Sequence, residues 1–194
     1  DGEAILAPDE ILDLKRLLRS LSVIGAGVIG IEYATIFSAL DVKVTVIEPG
    51  DALLPFIDRE LVDEFIHEMR DRGMSLRFQS KVKRVTKPAP DACLIELEDS
   101  RQIWSEMVLF AAGRKGATES LELENCGLST DERGKIEVDR ATFRTKLPHI
   151  FAVGDVIGFP SLASTSMEQG RIAACNAFDA PAQAPPEFFP YGIY

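Results

Sequence analysis

Apolar and polar positions alternate along the chain in short runs of two different periods. "SLSVIGA", from Ser20, is apolar and β-branched and stops at glycine, which predicts a buried strand. From Val28 to Leu40 the apolar residues Val28, Ile31, Ile36, Phe37 and Leu40 recur at helical spacing, so a helix begins at the second glycine. "VKVTVIE" then alternates through Val42, Val44 and Val46 and closes on Glu48, a second strand. Strand, glycine turn, helix and strand make one βαβ unit, and right-handed crossover sets its two strands parallel.

A second helix follows Asp58, a plausible N-cap for "RELVDEFIHEMRDRG", with Leu61, Val62, Phe65, Ile66 and Met69 on one face and Gly73 as its stop. "DEILDLKRLL", after Pro8, carries a shorter helical pattern. Four strand-like runs come next, "SLRFQ", "KVKRVTK", "ACLIELED" and "QIWSEMVLFAAG", which read as an antiparallel meander inserted in a parallel pattern. A loop from Glu119 to Gly134 leads to short strands near Ile136 and at "HIFAVGD", then to a helix from about Leu162 to Phe178. "DAPAQAPPEFFP" reads as a proline-rich linker and "YGIY" as the start of a strand. The pattern therefore predicts an α/β fold with a Rossmann-like parallel sheet and a β-meander.

Composition narrows the partners. With 194 residues the chain has room for one domain or one and a half, and for a real core. A formal charge of −10, no basic block and no apolar run near the ~20 residues of a membrane helix argue against nucleic acid and membranes. Cys93, Cys126 and Cys175 have no metal-ligand spacing, so no metal site is expected, and they read as packing thiols in a reducing cytoplasm. The first residue is not methionine and the last four are apolar, so the chain reads as a piece of a longer protein.

The candidate chemistry lies in "VIGAGVIGIEYATIFSALDVKVTVIE". A dinucleotide brings a pyrophosphate that must be met without bulky side chains. Gly25 allows a tight turn, Gly27 lets backbone approach the phosphates, and Gly30 lets the helix pack on the sheet, while Ala26, Val28 and Ile29 supply neighbouring amides. Glu48, at the tip of the next strand, is placed to take both ribose hydroxyls. A 2′-phosphate beside that carboxylate would be repelled by about 4 kcal/mol at 4 Å and an effective dielectric of 20, less in water, which favours NAD over NADP. The alternative is a turn whose glycines never meet a ligand and a solvated Glu48.

The ordered pieces "VIGAGVIGIEYATIF", "LFAAGR", "HIFAVGDV" and "FPSLASTSMEQGRIAACNAF" resemble the two-dinucleotide flavoprotein disulfide reductases over nearly the whole chain. The resemblance implies a three-layer FAD/NAD(P)-binding fold, with residues 1–144 as the NAD(P)-binding domain and 145–194 as the end of the FAD-binding domain and start of an interface domain. It implies that Asp155 accepts a hydrogen bond from the FAD ribityl chain and that Leu162, Ala163 and Ser164 present backbone N–H groups to the flavin pyrimidine edge. Glu32 would lie near nicotinamide and flavin, and Gly113 would let the "AAG" turn pass the nucleotide. Taken singly these are a turn former, a helix cap, an exposed helix residue and a bend.

Within that family "GDVIGFPSLAS", "EQGRIAA", "AAGRKGAT" and "YGIY" resemble the branch that moves hydride from NADPH through FAD to NAD⁺. Dihydrolipoamide dehydrogenases usually have histidine at Ser164 and Pro-Asn at Gly116-Ala117, and related disulfide reductases stay open as the alternative, as does a non-catalytic NADH sensor. Gly50 stands where relatives commonly have arginine, which leaves no cation there for NADP, and Asp179 stands where glycine is usual. The resemblance implies NAD, NADP and FAD as cofactors, a homo-oligomer when complete, and no catalytic acid, base or nucleophile in these residues.

Overall fold

The computed structural model describes residues 5–183 and 189–193. Its elements in chain order are β1 (Ile5–Leu6), β2 (Ser20–Ile24), α1 (Val28–Ala39), β3 (Lys43–Ile47), α2 (Arg59–Asp71), β4 (Ser75–Arg77), β5 (Val82–Ala89), β6 (Ala92–Leu97), β7 (Gln102–Ser105), β8 (Met107–Phe110) and α3 (Ala163–Ala177). Five strands form a parallel sheet in the order β1-β8-β2-β3-β4, and β5-β6-β7 form an antiparallel sheet.

Side-chain alternation explains why this sheet is covered on both faces. Leu21 and Val23 of β2, Val44 and Val46 of β3 and Leu109 of β8 pack with Ile31, Ala34 and Phe37 of α1 and with Val62 and Met69 of α2. Ile24, Ile47 and Val108 point the other way, against Cys93, Ile95 and Leu97 of the meander. Helices, parallel sheet and meander are the three layers. Burying each such Leu, Ile or Val contributes about 1.5–3 kcal/mol.

One of the four runs read as meander belongs elsewhere and another only begins in the meander. Residues 75–77 pair in parallel with β3, Thr45 against Ser75 and Ile47 against Arg77, because the α2 crossover returns the chain to the main sheet. The run from 102 to 110 is two strands that part at Glu106, where the chain leaves the meander for the parallel sheet. Glu106 is buried at 6% exposure. Its Oε2 accepts the Arg19 N–H at 2.7 Å, its Oε1 pairs with the Arg16 guanidinium, and its own N–H donates to Ser20 Oγ. Burial pushes this carboxyl up, but the Arg19 amide and the Arg16 guanidinium outweigh it and hold it below the usual carboxylate range.

Other expectations change as well. Residues 9–18 form only a 3-10 turn at Glu10–Asp13, since so short a segment does not repay helix nucleation; Ile11, Leu14 and Leu18 still pack on the core while Leu12 and Leu17 are exposed. Ile36, Leu40 and Leu61 are exposed although the helical pattern put them on apolar faces. The strands expected near Ile136 and at 149–155 shrink to the single bridges Thr130–Ile136 and Arg144–Phe151. Tyr191–Ile193 form no strand. Residues 184–188 of the proline-rich stretch and Tyr194 lie outside the described residues. Cys93 is buried and Cys175 half-buried, but Cys126 is exposed and is not a packing thiol.

The chain divides into two compact units, one reaching Gly113 and joined again by Gly192 and Ile193, the other running from Arg114 to Tyr191. The second has its own core of Ile136, Phe143, Ala152, Ile157, Ile172 and Ala173. Among the described residues no helix is long and apolar enough to cross a membrane, and no group of three or more His, Cys, Asp or Glu could hold a metal ion.

Candidate functional site

In the first unit the chain leaves β2 through Gly25 at φ +104, a conformation that L side chains rarely adopt. A Cβ there would meet the Ala111 carbonyl oxygen at 2.5 Å, and a Cβ on Gly30 would land on the Gly25 carbonyl oxygen. Those two glycines answer to the protein's own backbone. Gly27 does not: its φ of −77 and ψ of 178 suit any residue, and nothing lies within 4 Å of where its Cβ would sit. The missing side chain leaves open space at the N-terminus of α1.

That helix end is also uncapped. Gly27 is its N-cap, no side-chain hydrogen bond to its amides is found among the described residues, and its first turn holds no acid. The N–H groups of Val28, Ile29 and Gly30 therefore have no intrahelical acceptor and carry the positive end of the helix dipole. Open space beside unanswered donors fits a pyrophosphate.

Glu48 is engaged with the same turn. Its Oε2 accepts the Ala26 N–H and its Oε1 the Gly50 N–H, each at 2.8 Å. The Ala26 amide is thus spent on Glu48 rather than offered outward. Glu48 is itself held in line, its N–H donating to the Arg77 carbonyl at 2.9 Å and its carbonyl accepting the Ser80 N–H. An ionised carboxylate has about four lone-pair sites, so two remain for sugar hydroxyls. Glu32 is half-buried on α1, and Gly113 is exposed beyond β8 with open space around it.

In the second unit Asp155 sits in a 3-10 turn, Gly154–Ile157, with a half-exposed carboxylate whose Oδ2 accepts from Arg114 Nη1 at 3.2 Å. Leu162 is the N-cap of α3, and among the described residues no side chain caps that helix. Ala163 and Ser164 are exposed in its first turn, and the hydroxyls of Thr165 and Ser166 donate back to the Leu162 carbonyl at 2.9 and 2.8 Å instead of covering the amides. Ser164 is not the cap that its residue type suggested. A cavity of about 330 Å³ borders this end, lined among others by Phe143, Pro160, Ser164, Gln169 and Phe189. Apolar walls beside free amides fit a flat ring with a carbonyl edge.

The sequence pattern of the family described as pyridine nucleotide-disulphide oxidoreductase matches residues 2–170. The chain belongs to this family. Among curated relatives, a soluble pyridine nucleotide transhydrogenase of Mycobacterium bovis is 49% identical over 194 residues, all of this chain and 41% of that protein. One from Enterobacter is 43% identical over 187 residues, 96% of this chain and 40% of that protein. The chain thus spans about two fifths of the length of these relatives. Among solved structures, LpdA of Mycobacterium tuberculosis is 32% identical with a TM-score of 0.87, covering 95% of this chain and 40% of that one. The flavoprotein disulfide reductase RclA of Escherichia coli is 29% identical, also at 0.87, covering 98% of this chain and 43% of that one.

In this member of the family the sequence-predicted residues other than Glu32 and Gly113 gather as two sets. Gly25, Ala26, Gly27, Val28, Ile29, Gly30 and Glu48 surround one turn of the first unit. Asp155, Leu162, Ala163 and Ser164 mark two ends of one assembly in the second. Sequence reasoning missed Gln169, Arg114 and Leu54. Leu54, buried at 3% exposure, donates its N–H to the Ala26 carbonyl at 3.4 Å. Only the family-like stretch "EQGRIAA" pointed toward Gln169.

Proposed function

We propose that this chain is the NAD(P)-binding part of an FAD-dependent transhydrogenase that moves hydride from NADPH through flavin to NAD⁺. The observation that carries the reading is the uncapped α1 end, kept open at Gly27 and flanked by Glu48. Identity of 49% across the whole chain to a relative named soluble pyridine nucleotide transhydrogenase supports the choice of reaction. In role rather than compactness, residues 1–144 serve the nicotinamide nucleotides, and 145–194 complete the FAD-binding domain and begin an interface domain. In this reading the complete protein is a cytoplasmic homo-oligomer.

The amides of Gly27, Val28, Ile29 and Gly30 hold the pyrophosphate, and Glu48 accepts the adenosine ribose hydroxyls while keeping Ala26 in place. Glu32 and Gly113 border the nicotinamide half. Asp155 accepts a ribityl hydroxyl, and the first turn of α3, from Leu162 to Ser164, offers N–H groups where negative charge gathers on reduction. The flavin and nicotinamide, when bound, supply the hydride chemistry. No residue of this chain is assigned as acid, base or nucleophile.

The test is a visible absorbance spectrum of the full-length protein under nitrogen. NADPH should bleach the flavin band and NAD⁺ should restore it. A second reading, a disulfide reductase, is favoured by the likeness to RclA. In that case NAD⁺ fails to restore the band and a disulfide succeeds.

A further inference from the structure

Gln169 is a polar residue on the buried face of α3, 7% exposed, one turn before the fully buried Ile172 and the buried Ala173. An amide in such a place is costly unless it is bonded. Its Oε1 accepts the Gly154 N–H at 2.7 Å, and the donor there requires that the oxygen, not the nitrogen, point that way. Gly154 opens the turn that carries Asp155. A Cβ on Gly154 would also meet Ser166 Oγ of the same helix at 3.3 Å, so α3 leaves little room beside this turn. Ser166 in turn bonds to Leu162 at the N-terminus of α3.

We propose that Gln169 is a positioning residue of the flavin-facing half: it ties the turn bearing Asp155 to the helix whose first turn bears Ala163 and Ser164. The two features can serve one ligand only if their separation is fixed. A hydrogen bond from the middle of the helix to the first residue of the turn fixes it. The inference rests on the proposed flavin role of Asp155 and α3.

The experiment uses the full-length protein with Gln169→Leu, Gln169→Glu and Asp155→Ala. FAD affinity is measured by titrating apoprotein, and amide exchange of residues 154–157 is followed by mass spectrometry without ligand. Gln169→Leu should weaken FAD by about tenfold or more and speed exchange of the turn, since a half-buried N–H loses its acceptor. Gln169→Glu keeps an acceptor oxygen and should restore both. If Gln169→Leu binds FAD as the wild type does while Asp155→Ala loses it, the positioning role is overturned and the flavin reading stands. If Asp155→Ala also keeps FAD, the flavin reading falls and the proposal with it. Should Gln169→Leu not fold, the wild type decides: a Gly154 amide that exchanges as fast as that of Ala163 refutes the tether, and strong protection supports it.

Discussion

The N-terminus of α2 and those of α1 and α3 are built in opposite ways. At α2, Asp58 caps its own helix, Oδ1 accepting the Glu60 N–H at 2.9 Å, with Glu60 adding negative charge to the first turn. At α1 the corresponding place holds Gly27, and at α3 it holds Leu162, with the nearby hydroxyls turned back to a carbonyl. The chain uses capping where a helix has only to pack. Where the first-turn amides are left unanswered, the stability that a cap would contribute, about 0.5–2 kcal/mol, is forgone. The difference separates scaffold from candidate binding surface more sharply than hydrophobicity does.

The strongest way to break this contrast is to cap α1 with its own carboxylate. Gly27→Asp is conformationally allowed and meets open space, so it should leave the melting temperature unchanged or raise stability by a few tenths of a kcal/mol. The same change should abolish NADH binding, by about a hundredfold or more, because the carboxylate takes the amides and repels phosphate. Retained binding in a fluorescence titration would mean that this end is open for another reason.

Glu48→Ala sits between scaffold and site. Two backbone N–H groups lose a charged acceptor, so stability should fall by about 1–3 kcal/mol by denaturant titration. NADH should weaken more than NADPH, because the ribose acceptor goes and so does the repulsion of a 2′-phosphate. Equal losses would assign Glu48 to the turn alone. The smallest effect belongs to Asp58→Ala, expected to cost about 1 kcal/mol while leaving NADH affinity unchanged. A joint loss of affinity would erase the distinction between the two kinds of helix end.

Much of the glycine turn was legible because its constraints are local. Gly25, Gly30, the strand before them and the helix after them lie within a few residues of one another, so spacing alone carries the geometry. Asp58 was legible for the same reason. The 102–110 run was not: nothing in "QIWSEMVLF" distinguishes a strand of one sheet from a strand of another. Only the arrival of Arg16, Arg19 and Ser20 around Glu106 marks where the chain changes layers. Nor did residue type separate Leu61 from Val62 on α2, since which side of a helix is covered depends on its neighbours.

The order of residues determined by itself the βαβ unit, the bend at its glycines and the acid at the tip of β3, because each follows from backbone sterics and periodicity over a short span. Tertiary packing decided that Glu48 grips the Ala26 amide and that Gln169 reaches the Gly154 amide. It also decided that β4 and β8 join the parallel sheet. These are pairings between residues far apart along the chain, and their partners are chosen by which surfaces bury each other rather than by any local preference.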